Sequence, residues 1–185
     1  MNNQTLLSYT PKDDDFGVYV GRLNPMHLGH QAMVSSLLQT FGPNHLLLIG
    51  SCNKPISIRH LFNYADRCDI VRAVFPEVRI APLPDFDGSD ALWFRALDDI
   101  LWLTGIDPTK VLYIGGSRED VEFYRLFGRK VEIVNRFGGL TVNVSGSEIR
   151  DALIEHRPLE AMLDPRVIPI IQERFAIRWE EVKSR

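Results

Sequence analysis

The sequence predicts an α/β fold, a doubly wound parallel sheet with helices on both faces, and three observations carry the prediction. Short apolar runs alternate with helix-length stretches along the chain, the pattern of repeated strand–helix units. The run "HLLLIG" (45–50) is apolar and stops at glycine, as expected of a parallel strand buried on both faces. The unusual residues gather where strand-like runs stop, at Gly21, at Gly50 and Ser51, and at Gly115, Gly116 and Ser117. Open parallel sheets bind their ligands beyond those carboxyl ends.

Each element follows in order. "FGVYV" (16–20) reads as a strand that stops at Gly21. Residues 27–41 read as a helix with Leu28, Met33, Val34, Leu37 and Leu38 broadly on one face. After the strand at 45–50 comes a helix over 61–75, with Phe62, Ala65, Ile70 and Ala73 toward a core. "VRIAPL" (78–83) is a weaker strand. Residues 89–105 form a helix opened by a Ser or Asp cap and closed by Gly105. "KVLYIGG" (110–116) is a strand, 118–128 a helix and "KVEIVN" (130–135) the fifth strand. A further helix starts at 145–155, and the last lies within 168–182. Five strands with intervening helices make a Rossmann-like sheet.

The length of 185 residues suits one domain, with 1–15 as an acidic lead-in and 164–185 as a C-terminal helical segment. Hydrophobic residues make up 45% and charged residues 24%, enough for an ordinary core. The net charge of -3 gives no global attraction to nucleic acid or anionic membrane, so any anionic ligand must be held locally. No apolar stretch approaches the ~20 residues that span a bilayer. The opening residues carry neither a basic start nor a sustained apolar run, so no signal peptide is expected. Cys52 and Cys68 are in no metal-like spacing and read as free thiols. A soluble, cytoplasmic protein is the expectation.

The segment "GRLNPMHLGH" (21–30) lies where the first strand hands over to the first helix. Pro25 suits the approach to a helix start, and Gly29 leaves room for close approach. A helix N-terminus attracts phosphate through its free N–H groups and partial positive charge. His27 and His30 add donors to the same anion, and Arg22 adds a permanent charge and a planar fork. The i, i+3 spacing also suits two metal ligands. Tight zinc sites take three or four, however, and His45, His60 and His156 form no matching pair. Two surface histidines remain the bland alternative. The segment "VSGSEIR" (144–150) makes a second such site: Ser145 can cap the helix, Ser147 offers a hydroxyl, and Arg150 faces back to the helix start. Its bland alternative is a plain capped helix with Glu148 as the capping acid.

Taken together and in this order, the two segments resemble the HxGH nucleotidyltransferase superfamily, which carries GxFxPxHxGH early and an ISxTxxR-like motif late. Between them, Gly50, Ser51, Ser57, Ile58, Arg59, Phe62, Asp66 and Arg67 resemble the second-strand loop of archaeal-type nicotinamide-nucleotide adenylyltransferases. "GSDALWFRAL" (88–97) resembles that family's Asn-x-x-Leu-Trp stretch, and Trp93 falls at the tryptophan that stacks on the nicotinamide ring. "LYIGGSREDVEFYRLF" (112–127) resembles its fourth-strand loop. The resemblance covers nearly everything after about residue 16, and extends to the adenylyltransferase half of Nudix-fused proteins.

The resemblance implies transfer of AMP from ATP to nicotinamide mononucleotide, giving NAD and pyrophosphate. His27, His30 and Arg150 would be catalytic. Gly21, Arg22, Ser145, Ser147 and Gly115 would bind ATP. Arg59, Trp93 and Ser51 would bind the mononucleotide. Mg²⁺ would come with ATP rather than through a protein metal site. Asp85, Asp87 and Asp90 surround the Trp93 stretch, and any of them would reach the carboxamide or ribose hydroxyls. The departures are Leu23, Asn24, Ser147, "HLF" at 60–62 and Gly116. The rivals are another adenylyl or cytidylyl transfer to a different phosphorylated acceptor, and a nucleotide-binding regulator without turnover. The C-terminal helix reads as a packed lid or as a subunit contact, which leaves a homo-oligomer open.

Overall fold

A computed structural model describes residues 10–12, 14–134 and 144–184. Its five strands are β1 (Phe16–Gly21), β2 (His45–Ile49), β3 (Ile80–Pro82), β4 (Val111–Gly115) and β5 (Lys130–Ile133). They form one all-parallel sheet in the order β3-β2-β1-β4-β5. The helices are α1 (Leu28–Phe41), α2 (Tyr64–Arg72), α3 (Asp90–Leu103), α4 (Arg118–Leu126), α5 (Gly146–Ile154) and α6 (Ile168–Lys183). Strand order reverses at β1: the chain runs outward through β2 and β3, then returns to β4 on the other side. That reversal puts a crevice above the carboxyl ends of β1 and β4.

The alternation of strand side chains divides the core in two. Tyr19, Leu47, Ile49, Leu112 and Ile114 point to the face covered by α1, α2, α5 and α6. Val18, Leu46, Leu48, Val111 and Tyr113 point to the face covered by α3 and α4, where Phe94, Leu97 and Leu101 meet them. This is the doubly wound arrangement the alternation predicts. Gly115 is required by the packing: a Cβ there would stand 2.4 Å from Val121 Cγ1.

The elements differ from the sequence-based expectation mainly at α2. The helix begins at Tyr64, not at 61, because Asn63 caps it and forms a reciprocal capping box with Asp66. Leu61 and Phe62 are buried from the preceding loop, so their apolar character marks the core without marking a helix. Ala65, expected inward, is exposed. The third strand shrinks to Ile80–Pro82. Ser89 caps α3, and Gly105, at φ 78°, follows its end as expected. Asn135 and residues 136–143 lie outside the described residues.

Candidate active site

Above the carboxyl ends of β1 and β4 lies a cavity of about 540 Å³, a size that suits a nucleotide-like ligand. The eleven residues to which the family resemblance gives catalytic or binding roles all line it: Gly21, Arg22, His27, His30, Ser51, Arg59, Trp93, Gly115, Ser145, Ser147 and Arg150. The strand ends form the floor, the starts of α1 and α5 form one wall, and Trp93 of α3 stands opposite.

His27 is the N-cap of α1, not a first-turn residue. The His30 N–H donates to His27 Nδ1, and the His27 N–H donates to His30 Nδ1, each at 3.4 Å. The two rings lie with centroids 3.7 Å apart. A neutral imidazole that accepts at Nδ1 carries its proton on Nε2. The pair therefore closes the helix end with one edge of each ring and carries a donor on the other. The Leu28 N–H is also used, donating to Met162 O at 3.1 Å. The polar equipment of this helix start is thus partly the rings' own donors, rather than first-turn amides alone.

The start of α5 combines a helix cap with an arginine that folds back over it. Ser145 and Glu148 form a capping box, and those bonds hold the Glu148 carboxyl below its usual range. Arg150 turns back toward the helix start. Its Nη1 donates to Asn24 O at 2.7 Å and its Nη2 to Ser147 Oγ at 2.9 Å. Gly146 leaves room for this, since a Cβ there would come within 3.2 Å of both Arg150 Nη1 and Asn24 O.

Three guanidiniums face one space that Asp85 and Asp120 also line, and among the described residues none of the three is ion-paired. Neither Arg22 nor Arg59 forms an ion pair with a described residue, and Arg150 donates only to neutral oxygens. Burial pulls Arg150 below the usual arginine range, and the nearby Arg22 and Arg59 charges pull the same way. Burial and those same two arginines also hold His60 below its ordinary value, so it is neutral at pH 7 and adds no charge. Such a cluster is built for a multiply charged anion.

The opposite wall is aromatic. Trp93 is half-buried against Phe123 and Tyr124, with ring centroids 5.5 and 6.0 Å away, and one side of it borders the cavity. Its neighbour Phe94 is the core residue, 5% exposed. The three aspartates separate. Asp85 lines the main cavity, whereas Asp87 pairs with Lys54, and Asp90 borders an adjoining recess shared with Trp93. Among the described residues no group of three or more His, Cys, Asp or Glu side chains converges as a metal site would. This donor set of nitrogen cations fits a divalent ion that arrives on phosphates and keeps its own waters.

Two structural contributors are missing from the sequence reading. Asn24 appears there only as a departure from the family pattern. Here it is buried, its Nδ2 donates to Phe62 O at 2.8 Å, and its Oδ1 accepts from the Phe62 N–H at 3.1 Å. It joins the first motif, the "HLF" loop and, through its carbonyl, Arg150. Arg67 appears there only as a matching letter, and it lies buried beneath the strand ends.

Comparison with known proteins agrees with this architecture. Residues 18–152 match the cytidylyltransferase-like family. The nicotinamide-nucleotide adenylyltransferase of Methanocorpusculum labreanum is 22% identical over 174 residues, which are 91% of this chain and 97% of that one. A bifunctional NMN adenylyltransferase/ADP ribose pyrophosphatase from Francisella tularensis shares the fold at TM-score 0.68 and 17% identity, over 90% of this chain and 55% of that chain. The same enzyme complexed with AMP and a manganese ion gives TM-score 0.64. A NadR protein in complex with NAD and AMP-PNP gives TM-score 0.55 at 20% identity, over 80% of this chain and 45% of that chain. The chain thus spans about half the length of these two solved relatives.

Proposed function

The chain belongs to the cytidylyltransferase-like family, and from that membership we propose that it is a nicotinamide-nucleotide adenylyltransferase, which moves AMP from ATP to nicotinamide mononucleotide. The observation that carries the reading is the pairing of two unlike walls in one cavity: Arg22, Arg59 and Arg150 beside His27 and His30, facing a half-buried tryptophan. The first suits a triphosphate. The second suits a flat cationic pyridinium ring, through stacking and cation–π attraction.

The chemistry needs no protein nucleophile. A phosphate oxygen of the mononucleotide attacks the α-phosphorus of ATP in line, one P–O bond forms, and the bond to the β-phosphate bridge breaks. Pyrophosphate leaves and NAD remains. Catalysis is then positioning and charge stabilisation. The Nε2–H groups of His27 and His30 hold the α- and β-phosphate oxygens as charge builds on them. Arg150, with Ser147 and Ser145, holds the β- and γ-phosphates of the leaving group. Arg22 and Arg59 bring the two reacting phosphates together against their mutual repulsion. Gly21 and Gly115 let the nucleotide approach the strand ends, and Ser51 and Trp93 place the acceptor. Mg²⁺ carried on the triphosphate supplies further charge neutralisation when bound. We assign the reaction to the cytoplasm, in keeping with the two free cysteines and with the absence, among the described residues, of a helix long and apolar enough to cross a membrane.

The test is a panel of acceptors. With ATP and Mg²⁺, nicotinamide mononucleotide should give NAD and an equal amount of pyrophosphate, ahead of phosphopantetheine or phosphorylated alcohols. Product from one of those acceptors and none from the mononucleotide would replace the acceptor and keep the cavity. ATP binding with no product from any acceptor would point to a regulator.

A further inference from the structure

Arg67 is 2% exposed, yet no described carboxylate forms an ion pair with it. Its guanidinium is satisfied by backbone carbonyls alone. Nη1 donates to Arg22 O at 2.8 Å and to Gly50 O at 2.7 Å, Nη2 to Ser51 O at 3.3 Å, and Nε to Asn63 O at 3.2 Å. Arg22 follows β1, and Gly50 and Ser51 follow β2. One side chain thus pins the carboxyl ends of two neighbouring strands to α2. Both ends hold a non-glycine residue in the left-handed region, Leu23 at φ 47° and Ser51 at φ 53°. Such backbone persists only where its surroundings over-determine it. Ser51 and the Arg22 side chain line the cavity.

We propose that Arg67 is a positioning residue for the transfer: by binding the carbonyls of Arg22, Gly50 and Ser51 it sets where the Arg22 guanidinium and the Ser51 hydroxyl meet the acceptor. This rests on the reading of the cavity given above. The fork geometry is what the task requires. Three carbonyls on two strand ends are reached by a planar group with several fixed donors, and a lysine ammonium in the same place cannot span them. The far side of α2 is fixed as well. Asp66, next in sequence, takes Arg178 Nε at 2.7 Å and lies 3.7 Å from Arg174, both on α6. The C-terminal helix therefore braces the helix that holds Arg67. It packs on α2, and none of its residues lines the cavity.

The experiment compares Arg67→Lys and Arg67→Ala with the intact chain by two readouts. The first is amide hydrogen exchange. Segments around 21–24 and 49–53 should exchange faster in both variants, while the end of β4 stays protected. The second is steady-state kinetics. KM for nicotinamide mononucleotide should rise about tenfold or more, as when charged hydrogen bonds are lost, with kcat reduced and affinity for an unreactive ATP analogue nearly unchanged. Millimolar guanidinium should restore part of the activity of Arg67→Ala. Unchanged exchange at both segments would overturn the proposal, as would a uniform rise in exchange across the sheet with no guanidinium rescue. Should the intact chain form no NAD, the functional reading fails, and the exchange data still decide whether Arg67 holds the two strand ends.

Discussion

His27 serves the helix and the proposed chemistry through opposite edges of one ring. Its Nδ1 caps α1, and its Nε2 is proposed to meet phosphate. Two substitutions separate the roles. His27→Ala should cost about 1 kcal/mol of stability, as lost N-caps do, and about 10²–10³ in kcat, as lost oxyanion donors do. His27→Asn keeps an acceptor that suits an N-cap and removes the distal donor. It should melt like the intact chain and still lose the rate. Thermal unfolding and kcat measured side by side check both. Trp93 and Phe94 give a second contrast between neighbours. Phe94→Ala removes a buried ring and should cost about 3–5 kcal/mol, whereas Trp93→Ala should fold and raise KM for the mononucleotide. The residues legible in the sequence are those that stand at motif spacings and line the cavity: His27, His30 and Arg150. Asn24 and Arg67 were not, because each acts on backbone atoms of residues 38 and 45 positions away, and no local pattern encodes a carbonyl.

At the scale of elements, strand ends were legible because glycines punctuate apolar runs. The start of α2 was not, because Leu61 and Phe62 continue an apolar pattern that belongs to the core and not to the helix. The contact between α2 and α6 carries its own prediction. The Asp66 side chain is only 3% exposed and takes Arg178 at 2.7 Å, so Asp66→Ala leaves that arginine with Glu181 alone and removes one half of the α2 capping box. A loss of about 3 kcal/mol in denaturant unfolding is expected. His45 joins three elements: its Nδ1 donates to Gly42 O after α1, and its Nε2 accepts the Arg79 N–H at 3.0 Å before β3. Burial holds its pKa below the ordinary histidine value of 6.5. The native state therefore binds the proton less readily than the unfolded chain. This contribution to stability is complete above about pH 6.5 and is lost as pH falls through the lower native value. Urea midpoints should drop between pH 7.5 and 5.5, and His45→Gln should flatten that slope.

The whole molecule is slightly acidic, with net charge -3, yet it gathers three arginines and two histidines over one crevice. The attraction for a triphosphate is thus a local field within a repelling average. Nucleotide affinity should fall as ionic strength rises, since partly exposed charges are screened over ~10 Å at 0.1 M salt. Bound ATP should also raise the melting temperature, by mass action on the native state. The fold at this scale was legible from strand–helix alternation together with the apolar strands that stop at glycine, because such a series is buried by helices on both faces of a parallel sheet. The central claim is that the α-phosphorus of ATP is what moves. The most direct measurement follows two labels in one reaction with nicotinamide mononucleotide, one on the α- and one on the γ-phosphate of ATP. The account predicts α-label in the dinucleotide and γ-label in pyrophosphate, both abolished in His27→Asn. The γ-label in the organic product, or α-label that never leaves ATP while the nucleotide binds, would contradict it.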